Sequence, residues 1–531
     1  MSSPAANPVT FSIVGLYLMA TLVIGYVSRR SSGTSAQFLH AGRMLPTAVT
    51  SIAFLAANCG ALEIVGIVAA SAKYGALALH FYWIGAIPAM VFLALFMMPI
   101  YAQSRALTVP EFLRLRYDER TQILNAVSLA VMMGFISGIS LYAIASVMRV
   151  FLGWNFPETV ALTTVVIFGY VALGGLKATI YNEILQVGIT VAGLIPLSYL
   201  VLRQFHGIDG LRNSLPGGIR HMWTTMPLAD RAGAPMDVVG VVAGLGFVLS
   251  FGYWCTDFML IQRAMAAREI RGSINTPLFA AIAKLVFPLL VVVPGLAASQ
   301  VLAGRARSFD EALPAMMLHY YRPALLGVGF AAILASLMSA QAGNISAMST
   351  IWTHDLYRTH MVRSKSDAHY VTVGRLATVG ATCFSIAAAY IAFRYSTLMD
   401  YLQLVFSLFN APLFATLLLG MFTTWATPDA GFWGMAIGMT ISIAHNFAFR
   451  FHLLHYGSQM SANFYGAVLG FASCLAATMM LSLHTRPKPM EELAGITYRT
   501  RLAESVRAPL ASWVLALLLL GGCLWLNVYF R

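Results

Sequence analysis

About fourteen apolar stretches, each close to the 20 residues that cross a hydrocarbon core as a helix, run through this 531-residue chain. They occupy 9–27, 48–72, 77–102, 123–151, 160–173, 184–202, 238–261, 277–303, 324–353, 376–393, 398–422, 432–449, 465–483 and 513–530. Apolar residues make up 59% of the chain and charged residues 10%, whereas a soluble domain carries about 25% charge. The expected fold class is therefore an all-α polytopic membrane protein. The first stretch has no basic region before it, is followed by Arg29 and Arg30, and shows no small-residue cleavage site, so it reads as a retained span. Cys59, Cys255, Cys383, Cys474 and Cys523 all fall in apolar segments without metal-ligand spacing, which implies neither a disulfide framework nor a zinc site.

The net charge of +13 is spread between the spans, which argues against a nucleic-acid surface and for the rule that cytoplasmic loops are basic. Alternate loops hold Arg29, Arg30 and Arg43; Arg105, Arg114, Arg116 and Arg120; Arg263, Arg268 and Arg271; Arg358, Arg363, Lys365 and Arg375; and Arg486, Lys488, Arg499, Arg501 and Arg507. With those loops cytoplasmic, both termini lie outside, as does the long segment 203–237, which is either a loop or the seat of a short interfacial helix. A plasma membrane is expected, the inner one in a Gram-negative bacterium.

Two spans are interrupted. Glu63 sits in SIAFLAANCGALEIVGIVAA (51–70), just after Asn58, Cys59 and Gly60. A carboxylate at membrane depth is expensive and usually functional, and a spanning helix that loosens at its midpoint must line a cavity or bind something. The bland reading is a packing kink with a hydrogen-bonded acid. FVLSFGYWCTDF (247–258) is the second, with Ser250, Tyr253, Trp254, Thr256 and Asp257. The two lie five helices apart, the spacing of a five-helix unit repeated with inverted topology. That divides the chain into 1–46, a first repeat at 47–203, a loop at 204–237, a second repeat at 238–453 and two extra helices at 454–531.

The run YWCTDFMLIQR (253–263) resembles the signature of the sodium/glucose cotransporter branch of the sodium:solute symporter family. In the same order follow FLHAGRMLP (38–46), LAANCG (55–60), LTVPEFLRLRY (107–117), ALGGLKATIYNEILQ (172–186), AAIAKLVFPLLVVVPG (280–295), SLMSAQAGNISAMSTIWTHDLY (336–357) and YLQLVF (401–406). The resemblance implies fourteen spans, an inverted five-helix repeat core (LeuT-like fold) and alternating access around a midplane site. It puts a sodium site between the carbonyls of Ala56 and Cys59 and the hydroxyls of Ser336 and Ser339, a hard cation needing several oxygen ligands. The family's next hydroxyl is Ala340 here, and the positions of a further sodium site are Ala342 and Gly343. One weakened sodium site is expected, with proton coupling or uncoupled transport still open.

For the solute, the resemblance singles out Lys284, Gln403 and Tyr253, with Ser250 at a further hydrogen-bonding position. Asn58, Glu63, Tyr82 and Trp254 complete the expected contacts. Lys284 is too far from its helix ends to snorkel, so it faces a cavity or pairs with Glu63 or Asp257. Gln403 is equally suited to joining helices, and Tyr253 and Trp254 to core packing. Glu63 stands where relatives have Gln or His, Tyr82 where sugar carriers have Glu, and Gly85 replaces a polar contact. Asp257 and Glu183 are the ion-coupling candidates. Glu183 reads either as an aid to cation release or as a first-turn acid of the span at 184–202.

The expected function is a secondary importer of a small polar solute, sugar or polyol-like, by cation symport, with Na+ or H+ as coupling ion. The alternatives are a proton-coupled or uncoupled carrier of an amine or amino-acid-like solute, and, from other classes, a membrane enzyme or a solute sensor. Acids and histidines are dispersed, against the enzyme, and the loop 484–507 is too short for a signalling domain. No cofactor and no obligate protein partner are expected beyond the lipid bilayer. GGLK (174–177) reads as a tight turn between two spans, since it lacks the rest of a phosphate-loop pattern.

Overall fold

Local capping chemistry fixes where the apolar runs begin. Asn155 and Glu158 exchange side-chain bonds with each other's backbone N–H at the start of Phe156–Gln204. Thr108, Asp118, Thr397 and Ser458 accept from Glu111, Thr121, Asp400 and Ser461 N–H in the same way. Each such cap satisfies a donor that the first helical turn leaves orphaned. The computed structural model describes residues 7–28, 45–60, 62–104, 106, 108–224, 226–229, 235–302, 308–392, 395, 397–500 and 507–531; the side chains of 62 and 167–178 lie outside this set.

Among the described residues the fold is helical, with one isolated bridge between Leu45 and Ala267. Among the described residues ten helices are long and apolar enough to cross a membrane, or twelve when each of two bent pairs is one span. The expected spans 160–173 and 184–202 fall within one helical element, Phe156–Gln204. Phe156 packs on Tyr390 and Gln204 accepts from Tyr320, so both ends of the element lie at the face where Asp367–Ala392 ends and Pro323–Thr350 begins. The turn expected at 174–177 falls among side chains outside the described set, as does most of the motif at 38–46. The described residues of segment 203–237 include two short helices, Ile208–Ser214 and Gly217–Arg220.

Both interrupted spans are broken as expected. Thr47–Asn58 and Glu63–Leu79 meet at 55°, and Gly240–Thr256 and Phe258–Met265 at 50°. The second break is at Asp257, whose carboxylate accepts from Met259 N–H at 2.8 Å and so caps the outgoing half-helix. Small residues let the breaks pack tightly: a Cβ on Gly60 would overlap Ala340, and one on Gly85 would overlap the Ser250 hydroxyl. The absence of a polar side chain at Gly85 thus has a steric cause. Phe54 stacks on Trp254 at 5.8 Å, and Thr50 shares a 2.7 Å hydroxyl bond with Thr276, which joins the first broken helix to the second and to Ile270–Val286.

Candidate solute and ion site

Between the two breaks the buried polar groups converge. Glu63 lies in the π-helical turn Leu62–Gly66, 3% exposed. Such a turn widens the helix and is common at functional sites. Lys284, fully buried, places Nζ 2.5 Å from Glu63 Oε2 and also donates to Asn58 Oδ1. Tyr82, in a second π-helical turn (Phe81–Ala86), donates to the other Glu63 oxygen. Asn58 Nδ2 donates to the Tyr253 hydroxyl at 2.9 Å. The ammonium stands 5.6 Å from the Trp254 ring and 5.1 Å from that of Phe287. One cation and one anion so close cancel at long range, which leaves neutral hydrogen-bonding groups around the pair.

That cluster forms one wall of a cavity of about 40 Å³, lined by Asn58, Glu63, Tyr82, Ser250, Tyr253, Trp254 and Gln403. Ile67, Phe81, Ala86, Leu245, Leu249, Met399 and Phe406 complete the lining with apolar surface. Lys284 stands behind the wall and does not line it. At about 10–15 Å³ per water such a volume admits a few waters, so a larger solute requires the helices to part. Gln403 Oε1 is buried with no hydrogen-bond partner among the described residues, an acceptor aimed at this space.

A second cavity, about 20 Å³, lies across Asn58 and Tyr253 and is bounded by Gly60, Ser140, Asp257, Ala340 and Asn344. Asp257 therefore faces away from the first cavity. Of the expected sodium ligands, the Ser336 hydroxyl donates to the Cys59 carbonyl, while the Ala56 carbonyl accepts from Cys59 N–H at 3.1 Å within the same helix end. The buried Ser339 hydroxyl has no partner among the described residues. No group of three or more His, Cys, Asp or Glu that could hold a metal occurs among the described residues.

Glu183 is elsewhere. It forms a buried ion pair with Arg263, 2.6 Å long and fully shielded on both sides. Another pair absent from the sequence reading joins Lys73 to the buried Asp400 at 3.1 Å, with Tyr74 and Thr397 also on that carboxylate. Its residues sit where the first broken helix ends and Leu398–Phe422 begins.

In the connection beside this ion pair, outside the spans, Asp310 accepts from Leu398 N–H with both oxygens at 3.2 Å. Burial pushes its carboxyl up from 3.8 to about 7; the Leu398 N–H and Lys73 oppose that shift, and Asp400 and Glu311 add to it. A carboxyl raised in the folded state binds a proton that the unfolded chain has lost. Its stabilising contribution is full below about pH 4 and is lost as pH rises through 7. Melting temperatures across pH 5 to 8 are expected to fall more steeply in the native protein than in Asp310→Asn; identical slopes would contradict this.

The capping geometry gives Asp257 a structural role. Asp257→Asn is expected to keep the solute preference while lowering the melting temperature or the turnover rate, as read from uptake competition and thermal unfolding. A changed preference would contradict this.

Two half-helix pairs broken at mid-span, enclosing a cavity walled in part by polar side chains, are the arrangement by which transporters with discontinuous helices build a binding site. A profile of the sodium:solute symporter family matches residues 38–438, and the chain belongs to that family of membrane symporters. It is 25% identical to the sodium/glucose cotransporter of Vibrio parahaemolyticus over 461 residues, covering 81% of this chain and 83% of that one. Sodium/glucose cotransporter 1 of Oryctolagus cuniculus is 24% identical, covering 95% and 83%. A Na+-coupled sialic acid symporter, solved in a substrate-bound outward-open state, shares the fold with a TM-score of 0.78 at 17% identity, covering 91% and 99%. Mhp1, a nucleobase-cation-symport-1 transporter solved closed, aligns with a TM-score of 0.50 at 12% identity, covering 87% and 98%.

Proposed function

We propose that the protein imports a small neutral polar solute, of sugar or polyol type, by sodium symport with alternating access around the Glu63 cavity. The observation that carries the solute class is the Lys284–Glu63 pair. With its charge compensated, the wall offers Tyr82, Asn58, Ser250 and Gln403 as alternating donors and acceptors, which suits hydroxyls. Aromatic rings of Tyr253 and Trp254 flank it, as for a sugar face. An amine is the weaker fit, because Glu63 already holds a cation and Asp257 opens on the other cavity. Lys284 keeps a third N–H that becomes available when the helices part.

For the ion, Ala56 and Cys59 carbonyls with the Ser336 and Ser339 hydroxyls would offer four oxygens, and the Ser339 hydroxyl, without a partner among the described residues, is the feature a cation would satisfy. Ala340→Ser is expected to lower the sodium concentration needed for half-maximal uptake, and Ser339→Ala to raise it. Equal sodium dependence in all three proteins would misplace the site. The Lys73–Asp400 latch closes the solute path on the face that carries the chain ends, taken as the outside; Phe156–Val166 and Pro428–Arg450 supply the remaining two of fourteen spans. The four boundaries at 46, 203, 237 and 453 follow from that count.

The test is a thermal-shift screen of sugars, polyols, amino acids and amines on purified protein, with and without sodium. Stabilisation by a neutral polyhydroxy compound that sodium enhances is the expected result. Stabilisation by amines alone, indifferent to sodium, would reject the assignment.

A further inference from the structure

A larger cavity, about 440 Å³, lies away from the solute site, between the short helices Ile208–Ser214 and Gly217–Arg220, the helix Pro288–Val301 and the end of Leu510–Tyr529. Its size is within the range of about 300–1,000 Å³ typical of small-molecule pockets. The walls are almost wholly aliphatic and aromatic, and among the described residues that line it none is acidic. The mouth is formed by Val286, Leu289, Trp525 and Tyr529, which are 57%, 40%, 63% and 49% exposed on a surface that in a bilayer meets acyl chains. Trp525 and Tyr529, in the last turns of a spanning helix, mark the interfacial level where such rings settle.

Arg212 and Arg220 lie at the end of the cavity beside that belt. Arg212 donates to the His221 ring at 2.8 Å and to the Arg531 carbonyl at 3.0 Å, and Arg220 to the Asn213 carbonyl at 2.7 Å. The Arg220 Nε is buried with no partner among the described residues. An apolar slot entered from the hydrocarbon, with two guanidinium groups at headgroup level and no acid among its described lining residues, matches one class of molecule. We propose that this pocket holds an acyl chain of an anionic phospholipid whose phosphate is bound by Arg212 and Arg220.

The pocket touches the solute site through neighbours in the chain. Trp83 lines it and follows Tyr82; Leu285 lines it and follows Lys284. An occupant therefore bears on the two helices whose preceding residues hold Glu63.

The test is photolabelling of the full chain in phosphatidylcholine nanodiscs by a trace lipid with a diazirine on its acyl chain, the labelled peptides being mapped by mass spectrometry. With a phosphatidylglycerol probe, label is expected to concentrate in 208–220, 285–296 and 522–530. In the double variant Arg212→Gln, Arg220→Gln it should fall about tenfold, the worth of one to two basic contacts to an anionic headgroup. A phosphatidylcholine probe should label these segments weakly in both proteins. Gly522→Leu fills the pocket without touching the arginines, since a Cβ there would meet Leu285 at an ordinary 3.4 Å. It should lose the same label, which separates a blocked site from a disturbed rim. Equal labelling by both probes, label as dense along 8–27 and 428–450 as in the pocket, or full labelling of Gly522→Leu would each overturn the proposal.

Discussion

Lys284→Ala is expected to raise the half-saturating solute concentration about a hundredfold or abolish uptake, because it strips Glu63 and Asn58 of their shared donor. Breaking a buried ion pair from one side costs about 3–5 kcal/mol, and each 1.4 kcal/mol is a factor of ten. Among the described residues, the carboxylate left behind keeps only the Tyr82 hydroxyl to stabilise it at membrane depth. Glu63→Gln in the same chain removes the uncompensated charge and should restore part of the loss, a coupling that a double-mutant cycle measures directly. Strictly additive effects of the two substitutions on uptake and on melting temperature would show that the pair is not a unit.

Arg263→Ala is the second large effect, expected in stability. It abandons Glu183 in a site where both side chains are fully shielded from solvent, at a cost of about 3–5 kcal/mol. Arg263 also donates to the Met259 carbonyl at 2.9 Å, so part of the loss falls on the half-helix that Asp257 caps. The double variant Arg263→Met, Glu183→Met should recover most of the stability, since replacing both members of a buried pair with apolar groups is often neutral. Thermal unfolding in detergent reads both proteins; a double variant no more stable than Arg263→Ala would contradict this. A double variant that folds yet responds to sodium differently from the native chain would assign Glu183 to cation release.

The breaks themselves were legible because they are local. Asn58, Cys59 and Gly60 cannot sustain a regular apolar helix, and Asp257 ends one by turning its carboxylate onto the next N–H groups. Lys284 was legible as a buried cation in need of a partner, with Glu63 and Asp257 as the two choices; only the packing of three helices decided for Glu63. Arg263 read as a cytoplasmic loop charge because it follows an apolar run by two residues, yet the outgoing half-helix carries it inward to Glu183, 80 residues away in sequence. Lys73 and Asp400 are 327 residues apart and share no pattern that a single chain displays. Spans 160–173 and 184–202 were visible as apolar runs, but hydropathy does not describe the join between them.

Sodium-driven accumulation in proteoliposomes tests the central claim most directly. Uptake of a neutral polyhydroxy solute identified by thermal shift would be followed under an inward sodium gradient, an inward proton gradient, or neither. The expected result is accumulation only with the sodium gradient, collapsed by a sodium ionophore and lost in Ser336→Ala, Ser339→Ala. Accumulation that follows the proton gradient and persists without sodium, in the native and the double-serine variant alike, would contradict the account.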